Sequence, residues 1–335
     1  MKKMMNDPFQ VTDELVEGFV LSHKPLFRQL PGKNVVLKNC IPEQKKATIL
    51  IGGGSGHEPL FLGFLGKGMA DCCVDGNIFA SPSVDLVCEG IRAVNQGEGV
   101  LMIYGNYQGD IINFSMASMM AQAEGIRVEE IRVWDDVASA APDQKEERRG
   151  TSANLPIIKI AGAASERGMS FDEVVRVTKK ARDNSRSIGV SLSSCTLPAV
   201  DQPIFELAED EIYVGMGVHG EPGIEKRKMC GADELSGIML EAIFQDDLAY
   251  EAGDNVVMVV NGYGGTPQME LLILSKCLHK RLAQRGIGVS YTAYGNLCTS
   301  LEMAGASLTL MKLDDELQSL WDDEAVSPGF CKIQF

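Results

Sequence analysis

The sequence predicts an α/β protein of two domains, each a β-sheet flanked by helices with its ligand loops at the C-terminal ends of strands. Three observations carry this. Short apolar runs of strand length, such as Ala47–Ile51, Val100–Tyr104 and Val128–Trp134, each end on a glycine-rich or acidic turn. Helical patterns alternate with these runs, which is the α/β signature, and its ligand groups collect beyond the strand ends. The chain has 335 residues, long for a single core, so two domains are the default.

In chain order, Thr12 or Asp13 is placed to cap a first helix with Leu15, Val16, Phe19 and Val20 on one face. Pro25 and Pro31-Gly32 then break the chain, and a buried strand over Ala47–Ile51 runs into a glycine loop, Gly52 to Pro59. The strand Val100–Tyr104 leads into Gly105-Asn106-Tyr107-Gln108-Gly109-Asp110 and a helix rich in Met and Ala from about Asn113 to Ala123. Val128–Trp134 ends on Asp135-Asp136, and Ala141–Arg149 is a polar loop. Helical patterns over Leu155–Arg167 and Ser170–Asn184 precede a new strand series that starts at Ile188. Ile212–Gly217 enters a second histidine loop, and Asn255–Val260 precedes the long helix Met269–Gln284. Strands Val289–Ala293 and Leu308–Leu313 come next, and Asp314-Asp315-Glu316 opens a last helix. The division is therefore expected near residue 188, with the glycine loop and Asp110 in 1–188 and His219 in 189–335.

The formal net charge of -15 argues against a nucleic-acid or anionic-membrane partner, because tracking phosphates takes an excess of Lys and Arg. It leaves room for docking to a basic patch on another protein. No apolar run approaches about 20 residues, so no membrane-spanning segment is expected. Met1 to Asp7 has no apolar stretch of the signal-peptide kind, and the nine cysteines have no Cys-x-x-Cys spacing. Both point to a reducing cytoplasm and away from a zinc knuckle.

Two of the four histidines sit in sharply turning glycine-rich loops, Gly52-Gly53-Gly54-Ser55-Gly56-His57-Glu58-Pro59 and Gly217-Val218-His219-Gly220-Glu221-Pro222-Gly223. Glycines around an imidazole let backbone N–H groups approach a ligand closely, and a neutral imidazole serves as base, acid, nucleophile or metal ligand. The first loop lacks the Gly-Lys-Ser/Thr of a P-loop and the spacing of a dinucleotide fingerprint. A small-ligand site built from loop N–H groups, Ser55 and His57 competes with a plain tight turn, and His219 with a turn histidine bonded to backbone. For Asp110 the bland alternative is a helix N-cap. A metal site from His57, His219 and Asp110 is chemically conceivable, though no local spacing calls for it. Met116, Met119 and Met120 are expected to fill core, and His23 and His279 to be structural.

Seven motifs in order carry a resemblance. They are Gly53–Pro59, Asn106-Tyr107-Gln108-Gly109-Asp110, Asp135-Asp136-Val137-Ala138, Arg148-Arg149-Gly150, Val218–Gly223, Gly264-Gly265-Thr266-Pro267 and Thr299–Gly305. Together they resemble the substrate-binding (K) subunit of dihydroxyacetone kinase over nearly the whole chain. The resemblance implies a homodimer in which His219 attacks the ketone carbonyl to form a hemiaminal. It implies that Asp110 takes the proton of the hydroxyl to be phosphorylated, that His57 bonds the substrate, and that Gly54, Ser55 and Gly56 line the pocket. It places no cofactor on this chain. ADP or ATP with magnesium is expected on a separate L-type subunit, recharged by a phosphotransferase-system protein. Gly105 stands where family kinases usually carry a lysine that helps hold substrate. That departure implies either a different ketose, such as erythrulose, or a non-catalytic, ketose-sensing coactivator of a transcription regulator.

Overall fold

The computed structural model describes residues 2–39, 45–200 and 202–333. The chain divides into two compact units, each discontinuous in sequence. One gathers 2–132, 157–180 and 317–335, the other 133–156 and 181–316. The single cut expected at residue 188 is a different partition. It would part 133–156 and 181–188 from the sheet with which they fold, and 317–335 from the first unit's strands.

The first unit opens with helix α1 (Val11–Ser22), then strands β1 (Phe27–Gln29), β2 (Val35–Lys38), β3 (Thr48–Ser55) and β4 (Cys72–Ile78). Helix α2 (Val84–Val94), strand β5 (Val100–Gly105), helix α3 (Gln108–Ala123) and strand β6 (Val128–Val133) complete this stretch. The six strands form one sheet in the order β1-β2-β4-β3-β5-β6. Strand β3 runs parallel to both β4 and β5, while β2 is antiparallel to β4. Alternate residues of these strands (Val35, Leu37, Leu50, Cys72, Val74, Val100, Met102) pack with Val87, Cys88 and Ile91 of α2 and with Phe114, Ala117 and Ala121 of α3. Helices α4 (Asn154–Glu166) and α5 (Phe171–Asp183) come next in the chain. A buried charge cluster joins the first unit's distant segments. Lys38 and Lys46 each bond both Asp71 and Glu166 at 2.8–3.0 Å.

The second unit's sheet consists of β7 (Ser185–Ser191), β8 (Glu211–Val214), β9 (Glu225–Lys228), β10 (Asn255–Gly262), β11 (Gly288–Gly295) and β12 (Gly305–Leu313). Helices α6 (Ala232–Phe244) and α7 (Gln268–Gln284) cover one face, burying Met239, Leu240, Ile243, Leu271, Leu274 and Leu278 against Ile188, Ile212, Met258 and Leu308. The order is β11-β10-β12-β7-β8-β9. Strands β10 and β11 pair in parallel; β12, β7, β8 and β9 are antiparallel to their neighbours. This sheet departs from strand–helix alternation because β7, β8 and β9 succeed one another without a helix between them. The edge strand β9 is exposed throughout and fully charged, Glu225-Lys226-Arg227-Lys228. Helix α8 (Asp315–Asp322) and a short ribbon of β13 (Ala325–Val326) with β14 (Cys331–Lys332) close the fold.

Several local expectations change. Gln10, not Thr12 or Asp13, precedes α1, and Thr12 is buried inside it. The glycines Gly52 to Gly54 are not loop but belong to the last residues of strand β3, wholly buried. A Cβ on Gly52 would lie 2.4 Å from the Val74 carbonyl oxygen, and one on Gly54 2.6 Å from the Ala80 nitrogen. Their glycine character therefore comes from close backbone packing. Helix α3 begins five residues earlier than expected, at Gln108. The eight cysteines among the described residues are free thiols, and Cys40 lies outside them.

Gly52→Ala forces a backbone contact that no side-chain rotation relieves. Its expected cost is about 1–3 kcal/mol, against a gain of about 0.4–1 kcal/mol for Gly18→Ala, which adds a methyl with nothing within 4 Å on exposed α1. Urea denaturation of both variants beside the parent measures the contrast.

Candidate active site

The first unit places its candidate residues at one end of its sheet. Strand β3 delivers Ser55, Gly56 and His57, and the adjacent parallel strand β5 delivers Gly105 and, in the first turn of α3, Asp110. Gly56 has φ +96°, a conformation open to glycine, and turns the chain so that the next residue leaves the strand. The His57 ring is buried and stacks on Phe79, centroids 4.9 Å apart. Both carboxylate oxygens of Glu58 accept from the Gly56 N–H, at 2.9 and 3.2 Å. Burial nonetheless raises the Glu58 carboxyl above its ordinary range. Asp75 beneath it is raised further by burial and by the neighbouring Glu58 charge. The Ser55 hydroxyl lies within hydrogen-bond distance of the Gly76 carbonyl (2.5 Å), Thr12 (3.2 Å) and Asp75 (3.3 Å), so it braces the loop from inside.

Asp110 sits in the first turn of α3 and is buried, whereas the N-cap position belongs to Tyr107. The capping alternative thus does not describe it. A carboxylate there lies in the favourable field of the helix N-terminus.

In the second unit His219 occupies the turn of the β8–β9 hairpin. Its ring Nδ1 is 2.9 Å from Glu221 Oε1, and its backbone N–H donates to Glu221 Oε2 at 3.0 Å. One carboxylate thereby fixes both the ring and the main chain of the same residue. Burial would raise the Glu221 carboxyl, but the bond and charge of His219, with Arg149 behind them, hold it down to about 2. An ionised acceptor at Nδ1 selects the tautomer that carries its proton there, which leaves the lone pair on Nε2.

The hairpin turn is held from three sides. Arg149 donates to the Gly215 carbonyl at 2.9 Å and pairs with Asp136 at 2.7 Å. The Ser300 hydroxyl donates to the Val218 carbonyl. Gly220, at φ +86°, packs under Ile204. These contacts account for two of the distant motifs, Arg148-Arg149-Gly150 and Thr299–Gly305. Arg148 itself makes a buried two-pronged pair with Asp246 at 2.6 and 3.0 Å. In a third motif, Thr266 exchanges bonds with both the N–H and the carbonyl of Gly305.

The sequence placed Asp135 and Asp136 at a strand end where ligand groups gather, beside His57 and Asp110. The structure spends them on the backbone and on Arg149. Asp135 accepts from the Thr151 N–H (2.7 Å) and hydroxyl (2.6 Å) and from the Ala153 N–H (3.1 Å). Burial lifts Asp136 to about 6 against the pull of Arg149. Sequence reasoning missed Glu221 as the partner of His219, although the spacing His-Gly-Glu was a signal that could have found it. His23 bonds the Phe19 carbonyl (2.8 Å) and His279 bonds Thr292 (2.9 Å), in keeping with structural roles. Among the described residues no cluster of three His, Cys, Asp or Glu side chains has the geometry to hold a metal ion.

Comparison with known proteins joins these observations. The Dak1 domain family model matches residues 17–329. The dihydroxyacetone-binding subunit DhaK of PTS-dependent dihydroxyacetone kinase 1 of Listeria innocua is 42% identical over 316 residues, covering 94% of this chain and 95% of that protein. The crystal structure of the dihydroxyacetone kinase of C. freundii superposes with a TM-score of 0.90 at 30% identity, over 98% of this chain and 60% of that one. The dihydroxyacetone kinase operon co-activator DhaQ superposes with a TM-score of 0.88 at 32% identity, over 95% of this chain and 97% of its own. A two-unit α/β fold with a carboxylate-held histidine on a hairpin defines the general class, and the chain belongs to the Dak1 (dihydroxyacetone kinase K-subunit) family.

The depressed carboxyl of Glu221 has a pH signature. A folded-state pKa near 2, below the ordinary carboxylate value of 4.5, contributes stability that is present above about pH 4.5 and is lost as pH falls toward 2. Glu221→Gln is expected to be less stable than the parent at pH 6 and to converge with it near pH 2, as read by urea midpoints across that range.

Proposed function

We propose that this chain is the ketose-binding subunit of a phosphotransferase-system-dependent dihydroxyacetone kinase, acting in the cytoplasm as a homodimer. It requires a separate nucleotide-carrying subunit for turnover. The observation that carries the reading is the held imidazole of His219, in a chain that matches a K subunit along 94% of its length. His219, His57 and Asp110 act on the substrate in this reading, His219 as the nucleophile, His57 as an orienting group and Asp110 as the base.

His219 Nε2 attacks the ketone carbon. The C–N bond forms as the carbonyl π pair moves to oxygen, which takes up a proton. The positive charge that develops on the ring is met by Glu221 at Nδ1, and loss of the Nδ1 proton to solvent completes a neutral hemiaminal. Only a carbonyl compound can make this bond, so the step itself excludes glycerol. His57 and the N–H groups of the Gly54-Ser55-Gly56 turn orient the ketose hydroxyls. Asp110 removes the proton of the terminal hydroxyl as that oxygen attacks the phosphoryl group offered by the partner, which carries ADP or ATP and magnesium.

Gly105 favours a second reading. In place of a substrate-holding lysine, the buried end of β5 offers no side chain. The room suits a longer ketose such as erythrulose. It also suits a ketose sensor that retains His219 chemistry and acts on a transcription regulator, as a coactivator does, without touching nucleic acid itself.

With dihydroxyacetone carrying carbon-13 at its carbonyl carbon, NMR of the parent is expected to show about one protein-bound tetrahedral carbon per chain in place of the ketone, and His219→Ala to show none; a protein-bound tetrahedral carbon in that variant refutes the hemiaminal. ATP alone should give no phosphorylation. Reconstitution with the nucleotide-carrying subunit and its phosphodonor protein should give product with dihydroxyacetone or an erythrulose enantiomer, and Asp110→Asn should abolish it. If a reconstituted system that is active with a known K subunit phosphorylates none of these with this chain, the sensor reading replaces the kinase.

A further inference from the structure

Met116, Met119 and Met120 of α3, expected as core, are 46%, 63% and 40% exposed, because Phe114, Ala117 and Ala121 fill the side of the helix toward the sheet. Chemistry without an assigned role lies in the second unit, around the acid that holds His219.

Two opposite charges meet against Gly217. A Cβ there would lie 2.1 Å from Glu221 Oε2 and 2.6 Å from Arg149 Nη1. Glycine at 217 is therefore the room that a carboxylate and a guanidinium occupy together. The turn closes tightly around them, with the Gly217 N–H donating to the Glu221 carbonyl at 3.1 Å and the Gly220 N–H to the Gly217 carbonyl at 3.1 Å. Arg149 grips both flanks of the turn. Its Nη2 donates to the Gly215 carbonyl before the histidine at 2.9 Å, and its Nη1 reaches the Pro222 carbonyl after it at 3.5 Å. Nε and Nη2 both bond Asp136 Oδ2, at 3.0 and 2.7 Å. The side chains of Arg149 and Asp136 are 12% and 3% exposed, so salt and water screen their charges little.

Charges alternate along this row, from Asp136 to Arg149 to Glu221 and then to the His219 ring, 2.9 Å from Glu221 Oε1. Asp135 adds a buried carboxylate beside Asp136, with its oxygens taken by Thr151 and Ala153. The row answers a conflict in what His219 needs. An ionised acceptor at Nδ1 orients the ring and selects its tautomer. The same negative charge favours the doubly protonated ring, which has no lone pair to give a carbonyl carbon. A cation near the carboxylate's other oxygen offsets that pull without breaking the hydrogen bond. Arg149 lies there, and its charge is among the causes that keep Glu221 ionised. Asp136 anchors the guanidinium, whose fork lets one side chain bond two carbonyls and a carboxylate at once.

We propose that Arg149 is a positioning residue for covalent capture of the ketose, acting through Glu221. Its bonds hold the turn, and its charge sets how far pH can fall before His219 stops capturing a carbonyl. The inference rests on the hemiaminal reading and adds the residue that tunes it. Arg149 itself touches no reacting atom. Without the cation the carboxylate draws a proton to the ring more strongly, so capture fails at a higher pH.

Carbon-13 NMR with carbonyl-labelled dihydroxyacetone, titrated against the full chain from about pH 5 to about pH 9, spans the range where an imidazole changes charge. It reads both the affinity of capture and the pH at which capture is half lost on the acid side. Arg149→Gln is expected to weaken capture at the alkaline end about 10-fold or more, and to move the half-loss point up by about half a pH unit or more. Arg149→Lys keeps the charge and loses the fork. It is expected to return the half-loss point to that of the parent while recovering only part of the affinity. An unchanged affinity or an unmoved half-loss point in Arg149→Gln overturns the inference and leaves the hemiaminal standing. Equal movement of the half-loss point in both variants also overturns it, because the charge then plays no part. A parent that shows no bound tetrahedral carbon removes the hemiaminal reading itself. Urea midpoints check that both variants fold. Where Arg149→Gln does not, Arg149→Lys decides alone: weaker capture at an unmoved half-loss point supports the role, and parent-like capture or a moved half-loss point overturns it.

Discussion

Backbone-on-backbone contact at the end of strand β3 is the constraint on which the first unit depends. Gly52 lies against the Val74 carbonyl, Gly53 against the Phe61 ring and Gly54 against the Ala80 amide, with no room for a Cβ at any of the three. A strand that close to its neighbours cannot bend late or early, so the turn at Gly56 falls at a fixed height above the sheet. The stacked pair of His57 and Phe79 then inherits its position from main-chain packing. Burial of Glu58 and Asp75 comes from the same tightness. Two acids are drawn into a space where one is disfavoured, and both hold their protons more firmly than usual.

The second unit solves a different problem, which is to hold His219 steady on a hairpin turn. Hairpin turns are ordinarily among the more mobile parts of a sheet. Here Glu221, Arg149, Asp136 and Ser300 form a polar scaffold whose members each support the turn through a hydrogen bond or ion pair. The buried hydroxyls of Ser187, Ser307 and Thr309 on the inner strands and of Ser152 in the turn before α4 are linked at 2.6–2.9 Å. The sheet behind the turn is thus pinned by polar groups as well as by its apolar face.

Much of this was legible in the sequence wherever pattern and chemistry coincided. The strands over Val100–Tyr104 and Asn255–Val260 and the long helix α7 come directly from apolar runs and clear boundaries. The two histidine loops stand out because glycine, imidazole, acid and proline cluster there. What stayed hidden needed three dimensions. Gly52–Gly54 reads as loop by composition and is strand by packing. Asp135 and Asp136 share a strand-end position with ligand groups, yet their oxygens go to backbone N–H groups and an arginine that only the fold brings near. The methionines of α3 are apolar, and composition cannot say which side of a helix has run out of core to fill. Strand β9 lacks any apolar alternation, and its pairing with β8 is what makes it a strand at all.

That last strand has a consequence for how the protein behaves in company. An edge strand offers unpaired N–H and carbonyl groups to any extended chain, and a new strand added there would be bonded directly to the hairpin that carries His219. Four consecutive charged side chains on β9, all of them solvated, make such addition costly by desolvation and by repulsion from a like edge. The protein thereby keeps His219 on the outermost hairpin of a sheet while denying that sheet the chance to grow. Surface charge here is insulation. It keeps the histidine loop of one molecule apart from the strand edges of others.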